Sequence, residues 1–140
     1  MKATLCTGLA HEFSYQVPVG KTVPHVYPES ELFRSMPEVF ATAYMVGLIE
    51  WACLEALRPH LEPGEQSVGT DIRVSHNAAT PPGFIVKVGV VVEKVEGRRI
   101  SFRVDVHDGV ESISSGTHER FVIDRQRFLE KVERKAALQR

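Results

Sequence analysis

Apolar and polar positions divide the chain into a short alternating segment, a proline-bearing connection, one long apolar stretch and a series of valine-rich runs. Across residues 12–19, Phe13, Tyr15, Val17 and Val19 recur at every second position, the period of a strand with one covered face. Residues 20–34 carry Pro24, Pro28 and the polar run Glu29-Ser30-Glu31, which reads as a loop with a short turn of helix. A connector of that length in a compact chain often carries function. Residues 37–57 predict the clearest element, a helix with Ser35 as N-cap and Pro37 and Glu38 in the first turn. Pro59 and Pro63-Gly64 end it. Val39, Phe40, Ala43, Met45, Val46, Leu48, Ile49, Trp51, Ala52 and Leu54 surround its axis, so the helix calls for cover on every side.

The second half predicts strands over residues 67–76, 84–95, 100–106 and 112–123, then an amphipathic helix over 124–137 with Phe128, Leu129 and Val132 on one side. The breaks are turn sequences: Pro81-Pro82-Gly83, Glu96-Gly97-Arg98 and Asp108-Gly109. Tight turns make neighbouring strands antiparallel. Together these elements predict an α+β chain whose antiparallel sheet wraps around a long central helix, the hot-dog fold. An open sheet with the helix laid on one face is the alternative. A helix so apolar in so small a chain also favours burial by a second subunit, and a homodimer is expected.

Composition narrows the function. At 140 residues, with 43% hydrophobic and 25% charged positions, the chain is expected to form one domain, 1–140, with a real core. Seventeen basic against eighteen acidic residues leave a net charge of -1, so no global field favours nucleic acid or an anionic membrane. No run approaches the ~20 apolar residues of a membrane span. The opening decapeptide faintly echoes a signal peptide, but Thr7 and Gly8 interrupt it, and a cytoplasmic location is expected. Cys6 and Cys53 form neither a disulfide framework nor a metal motif, and Cys53 reads as a buried reduced thiol.

Glu50 is the residue the pattern singles out. It is the only charged side chain between Glu38 and Glu55, set among Leu48, Ile49, Trp51 and Ala52. A carboxylate there is neutral, paired or facing a polar cavity, and an apolar setting raises its pKa toward the range of a general base or nucleophile. The bland reading, a carboxylate at the helix rim bonded to an arginine, carries about even weight. Thr42 precedes it by eight positions, roughly 12 Å along the axis and roughly 80° around it. An imidazole between the two would touch both, whereas a threonine alone more often bonds a carbonyl one turn back. His76, at the predicted end of a strand expected to lie against this helix, is suited to proton transfer. The other histidines show no ligand spacing, and no zinc or iron site is expected. Gly69 reads as a close approach or a bulge, and Arg120 as an exposed strand arginine paired to an acid. Lys94, Arg98 and Arg99 form a small basic cluster at a hairpin, open to phosphates or simply solvated.

Many stretches in register then resemble the fluoroacetyl-CoA thioesterases. They include His25-Val26-Tyr27-Pro28-Glu29-Ser30, Pro37-Glu38-Val39-Phe40-Ala41, Met45-Val46-Gly47-Leu48, Glu50-Trp51-Ala52-Cys53, Ala78-Ala79-Thr80-Pro81-Pro82-Gly83 and Ser115-Gly116-Thr117-His118-Glu119-Arg120. The resemblance implies a homodimeric hot-dog hydrolase of a small acyl-CoA, with no metal and no cofactor beyond the coenzyme A of the substrate. It places the catalytic threonine, glutamate and histidine on Thr42, Glu50 and His76, and substrate-binding positions on Gly69, Arg120, Phe33 and Met36. Met36 stands where that family has a second aromatic residue, a departure that bears on specificity more than on chemistry. A non-catalytic acyl-CoA binder on the same fold, or an acyl-CoA hydratase or dehydratase, remains open beside hydrolysis.

Overall fold

A computed structural model describes residues 1–140. Five strands form one sheet: β1 (Ala10–Gln16), β2 (Glu65–Val74), β3 (Ile85–Glu96), β4 (Arg99–His107) and β5 (Ser112–Asp124). Their spatial order is β1-β3-β4-β5-β2 and every pairing is antiparallel. Three helices accompany them: α1 (Glu31–Arg34), α2 (Thr42–Leu57) and α3 (Arg125–Ala137). β3, β4 and β5 are consecutive hairpins, as their turn sequences require, whereas β1 and β2, which precede them in the chain, form the two edges.

The core lies between the sheet and α2. Val86, Val88, Val90 and Val92 from β3 and Ile100, Phe102, Val104 and Val106 from β4 point inward at every second position. They meet Met45, Leu48, Ile49, Ala52, Cys53, Ala56 and Leu57 of α2, all buried. Each large aliphatic side chain so buried contributes roughly 1.5–3 kcal/mol. The stripe facing away from the sheet is uncovered within one chain: Ala43 and Gly47 are exposed and Leu54 is 42% exposed, while Trp51, 45% exposed, rests its ring 4.6 Å from Phe13 and 6.1 Å from Tyr15 of β1. The expectation of cover on every face is thus met on one face only. A five-stranded sheet in one chain has the reach to enclose one side of the helix.

Two boundaries differ from the sequence reading for identifiable reasons. The long helix begins at Thr42 and not Pro37, because the preceding backbone is extended and spends its hydrogen bonds elsewhere. Ala41 has φ -74° and ψ 140°. The Phe40 amide donates to the Thr80 carbonyl at 2.8 Å, the Ala41 amide to Lys21 at 3.1 Å, and Val23 donates to the Val39 carbonyl at 3.0 Å. Ser35 is not the N-cap of the long helix but the C-cap of α1, its hydroxyl donating to the Leu32 carbonyl. The first strand stops at Gln16. Val17 is still buried against the sheet, but Pro18 leads into a 3-10 turn that turns Val19 out to solvent.

The connector before α2 is ordered by its own polar side chains. Ser30 caps α1 by accepting from the Phe33 amide at 3.2 Å, Arg34 donates to the Pro28 carbonyl, and buried Thr22 donates to the Val19 carbonyl at 2.6 Å. Asp108 ties the β4–β5 turn to the loop after β2, accepting from Thr80 at 2.9 Å and from the Val110 and Glu111 amides. Since Thr80 also holds Phe40, this network sets where α2 starts.

Gly116 is the tightest point of the sheet. Its φ is +153°, and a Cβ there would lie 1.9 Å from the Arg73 carbonyl oxygen across β2. Gly116→Ala is expected to cost about 3 kcal/mol, read as a lowered urea midpoint. A variant as stable as the parent would contradict this register.

Candidate active site

Thr42 and His76 meet at the amino end of α2. Thr42 is the first residue of the helix, and its Oγ1 lies 2.6 Å from His76 Nδ1. His76 sits two residues beyond the end of β2 and does not terminate the strand as expected. It is held by its neighbours: the Ser75 amide donates to the Ser115 carbonyl at 3.0 Å and Asn77 to Ile113 at 2.8 Å. Burial pushes the His76 pKa below that of a free imidazole, keeping the ring neutral and able to take a proton near neutral pH. Its Nε2 is buried with no hydrogen-bond partner, an uncommon condition that marks a place for one.

Glu50 occupies a second cluster, two turns further along the helix. Its Oε2 lies 3.9 Å from Arg120 Nη1 and its side chain is 43% exposed, the arrangement of a rim carboxylate beside an arginine and not of a fully buried acid. Gly69, opposite Arg120 in the β2–β5 register, is flat against this pair. A Cβ on Gly69 would stand 2.9 Å from Glu50 Oε1, 3.2 Å from His118 Cε1 and 3.4 Å from Arg120 Nη1. Glycine is needed there for space, and the β2–β5 register also shifts between Gly69 and Asp71, so the close approach and the bulge coincide.

Arg120 is only 4% exposed, not an exposed strand arginine, and is held on three sides. Its Nε donates to Ser67 Oγ at 2.8 Å, its Nη2 to the Ser67 carbonyl at 2.9 Å, and its Nη1 lies 3.1 Å from His118 Nε2. Burial lowers its pKa, and Glu50 and Cys53 oppose that. Cys53, beneath the cluster, is a buried free thiol whose pKa burial pushes up to about 12, against the lowering effect of Arg120. It is unreactive at neutral pH.

Within one chain, then, the fold joins Thr42 to His76, and Glu50 to Gly69 and Arg120, without joining the two groups. Phe33 packs its ring 5.5 Å from Tyr27 in the connector. Met36 is 49% exposed and lines a shallow depression with Pro24, His25, Pro28, Arg34 and Glu38. The hairpin cations are each matched to an acid, Lys94 to Glu96 at 2.6 Å, Arg98 to Glu65 at 3.3 Å and Arg99 to Glu119 at 3.6 Å. That arrangement leaves little net charge for a phosphate. No three His, Cys, Asp or Glu side chains converge in a way that holds a metal ion, and no helix is long and apolar enough to cross a membrane.

Sequence reasoning missed Ser67 and His118. His118 lacks ligand spacing to any other histidine, yet strand period puts it on one face with Arg120 and Val122. Two polar side chains on an inward face were the available signal.

Comparisons with known proteins agree with this architecture. The sequence signature of the fluoroacetyl-CoA-specific thioesterases matches residues 22–126. A fluoroacetyl-CoA thioesterase from Streptantibioticus cattleyicolor is 55% identical over 135 residues, which cover 96% of this chain and 97% of that protein. A solved fluoroacetyl-CoA thioesterase structure superposes with a TM-score of 0.92 at 55% identity, covering 94% of this chain and 97% of that one. A thioesterase superfamily member from Thermus thermophilus gives a TM-score of 0.83 at 29% identity, covering 96% and 95%. With its curled antiparallel sheet around one long helix, the chain has the hot-dog fold and belongs to the fluoroacetyl-CoA-specific thioesterase family.

Proposed function

We propose that this chain hydrolyses the thioester of a short acyl-CoA, with fluoroacetyl-CoA the leading substrate, releasing a carboxylic acid and coenzyme A. The observation that carries the reading is the 2.6 Å contact between Thr42 Oγ1 and the neutral His76 ring, at the head of a helix with no side-chain cap. His76 takes the hydroxyl proton as Thr42 Oγ attacks the thioester carbonyl. The partial positive charge at the start of α2 stabilises the oxyanion. The carbon–sulfur bond breaks, the thiolate takes the proton from His76, and water, deprotonated by the same ring, cleaves the acyl-threonine. Direct attack by water activated at His76, or by the Glu50 carboxylate to give a mixed anhydride, are the competing routes. A Thr-His-Glu set needs no metal and no cofactor beyond the coenzyme A of its substrate, and the cytoplasm is where such esters and a reduced Cys53 coexist.

A second copy completes the site in this reading. The exposed stripe Ala43, Gly47 and Leu54 has small residues that permit close approach. β2, ten residues long, is an edge of the sheet with unpaired backbone groups. A homodimer joined along the β2 edge would pair those groups, cover Ala43, Gly47 and Leu54, and bring a half-exposed Glu50 toward the orphaned His76 Nε2 of the other copy. Arg120 and Gly69 then shape the acyl end of the pocket, with Phe33 and Met36 at its mouth.

Three outcomes are expected. His76→Ala and Glu50→Gln each lower kcat/KM on short acyl-CoAs by at least about 100-fold, and the rate falls with pH as His76 protonates. Unchanged rates in both variants would sink the assignment, and tight acyl-CoA binding without turnover would make the protein a binder. Light scattering should show a dimer that Gly47→Glu dissociates, and mixed dimers of His76→Ala and Glu50→Gln subunits should regain activity. A fully active monomer would refute the shared site. Met36→Phe should raise the fluoroacetyl-to-acetyl ratio of kcat/KM by about 3- to 10-fold, whereas an unmoved ratio would remove residue 36 from specificity.

A further inference from the structure

Arg120 and His118 stand two apart on the inward face of β5, and their contacts fix each other's chemistry. The Asp71 backbone carbonyl lies 2.8 Å from His118 Nδ1 and only accepts, so Nδ1 carries the proton. Arg120 Nη1, 3.1 Å from Nε2, only donates, so Nε2 is bare and accepts. The two contacts together are satisfied by one species, the neutral Nδ1–H imidazole. His118 is 2% exposed, so water offers neither nitrogen a substitute.

We propose that His118 is a positioning residue: as the neutral Nδ1–H tautomer it locks the Arg120 guanidinium in place toward Glu50, and its protonation releases that lock. Ser67 holds Nε and Nη2 from β2, but Nη1, the nitrogen that faces Glu50, has His118 as its hydrogen-bond partner. Gly69 leaves the space in which Glu50, His118 and Arg120 converge. The charges facing His118 are Arg120 on its own strand, Asp71 on β2 and Glu50 on α2, while β4 presents the uncharged Phe102 opposite it. Burial and Arg120 disfavour the imidazolium, Asp71 and Glu50 favour it, and the balance holds the pKa below that of a free histidine. An imidazolium would set a second cation against Arg120 and remove the acceptor.

The effect on rate rests on the thioesterase reading; the tautomer and the lock do not. Imidazole nitrogen-15 NMR of the wild-type protein near neutral pH should find His118 protonated at Nδ1 and bare at Nε2. His118→Leu, which keeps bulk and loses the acceptor, should lower kcat/KM by about 10- to 100-fold. His118→Gln, whose amide oxygen replaces Nε2, should stay within about threefold of wild type at matched Tm, with a shallower acid limb in its pH profile. An Nε2–H tautomer or an imidazolium at neutral pH overturns the proposal, as do equal losses in both variants or none in either. Should His118→Leu fail to fold, the tautomer and the glutamine variant decide. Should the wild type hydrolyse no acyl-CoA, the NMR result still judges the lock, and the failure belongs to the proposed function.

Discussion

The apolar surface of α2 is the constraint on which the rest depends. Met45, Leu48, Ile49, Ala52, Cys53, Ala56 and Leu57 must leave water, and the inward valines of β3 with the isoleucine and phenylalanine of β4 are what they meet. This packing fixes the depth and rotation of the helix. It therefore fixes where Thr42 and Glu50 emerge, one at the helix head and one on its shoulder. A rotation of one residue, ~100°, would carry Glu50 away from Arg120. The uncovered stripe with Gly47 and Leu54 shows the same constraint left half satisfied in a single chain.

Polar groups inside this frame are few and accounted for. Arg120 is tolerated because Ser67 and His118 take its donors and Glu50 lies within reach of its charge. Asp108 is tolerated because Thr80 and two turn amides saturate it, and the same threonine anchors the backbone ahead of α2. One network thus places the threonine of the candidate site and the other its arginine. His76 Nε2 and the Ser114 hydroxyl are the exceptions, buried polar atoms left without a hydrogen-bond partner.

The boundary errors show how local signals are overruled. Ser35, Pro37 and Glu38 make a sound helix start by propensity, but the amides of Phe40 and Ala41 find partners on the loop after β2 and at Lys21. Propensity at an N-terminus is worth about 1 kcal/mol, less than several tertiary hydrogen bonds that also order a connector. Val19 continued the alternation of β1, yet Pro18 could not continue the strand. His118 carries no spacing signal to like residues because its partners are a carbonyl on β2 and an arginine on its own strand.

The sequence by itself determined the element order, the antiparallel hairpins, the buried helix and the singularity of Glu50, because periodicity and turn chemistry are written in neighbouring residues. It also carried the family likeness, which is a property of residue order over the whole chain. Only the tertiary structure decided that Thr42 meets His76, that Glu50 meets Arg120 and not His76, and that His118 and Ser67 hold the guanidinium. Apart from His118 and Arg120, which stand two apart on β5, those contacts join residues 34 to 70 positions apart in the chain, and their distances come from sheet register and helix rotation, which no local pattern specifies.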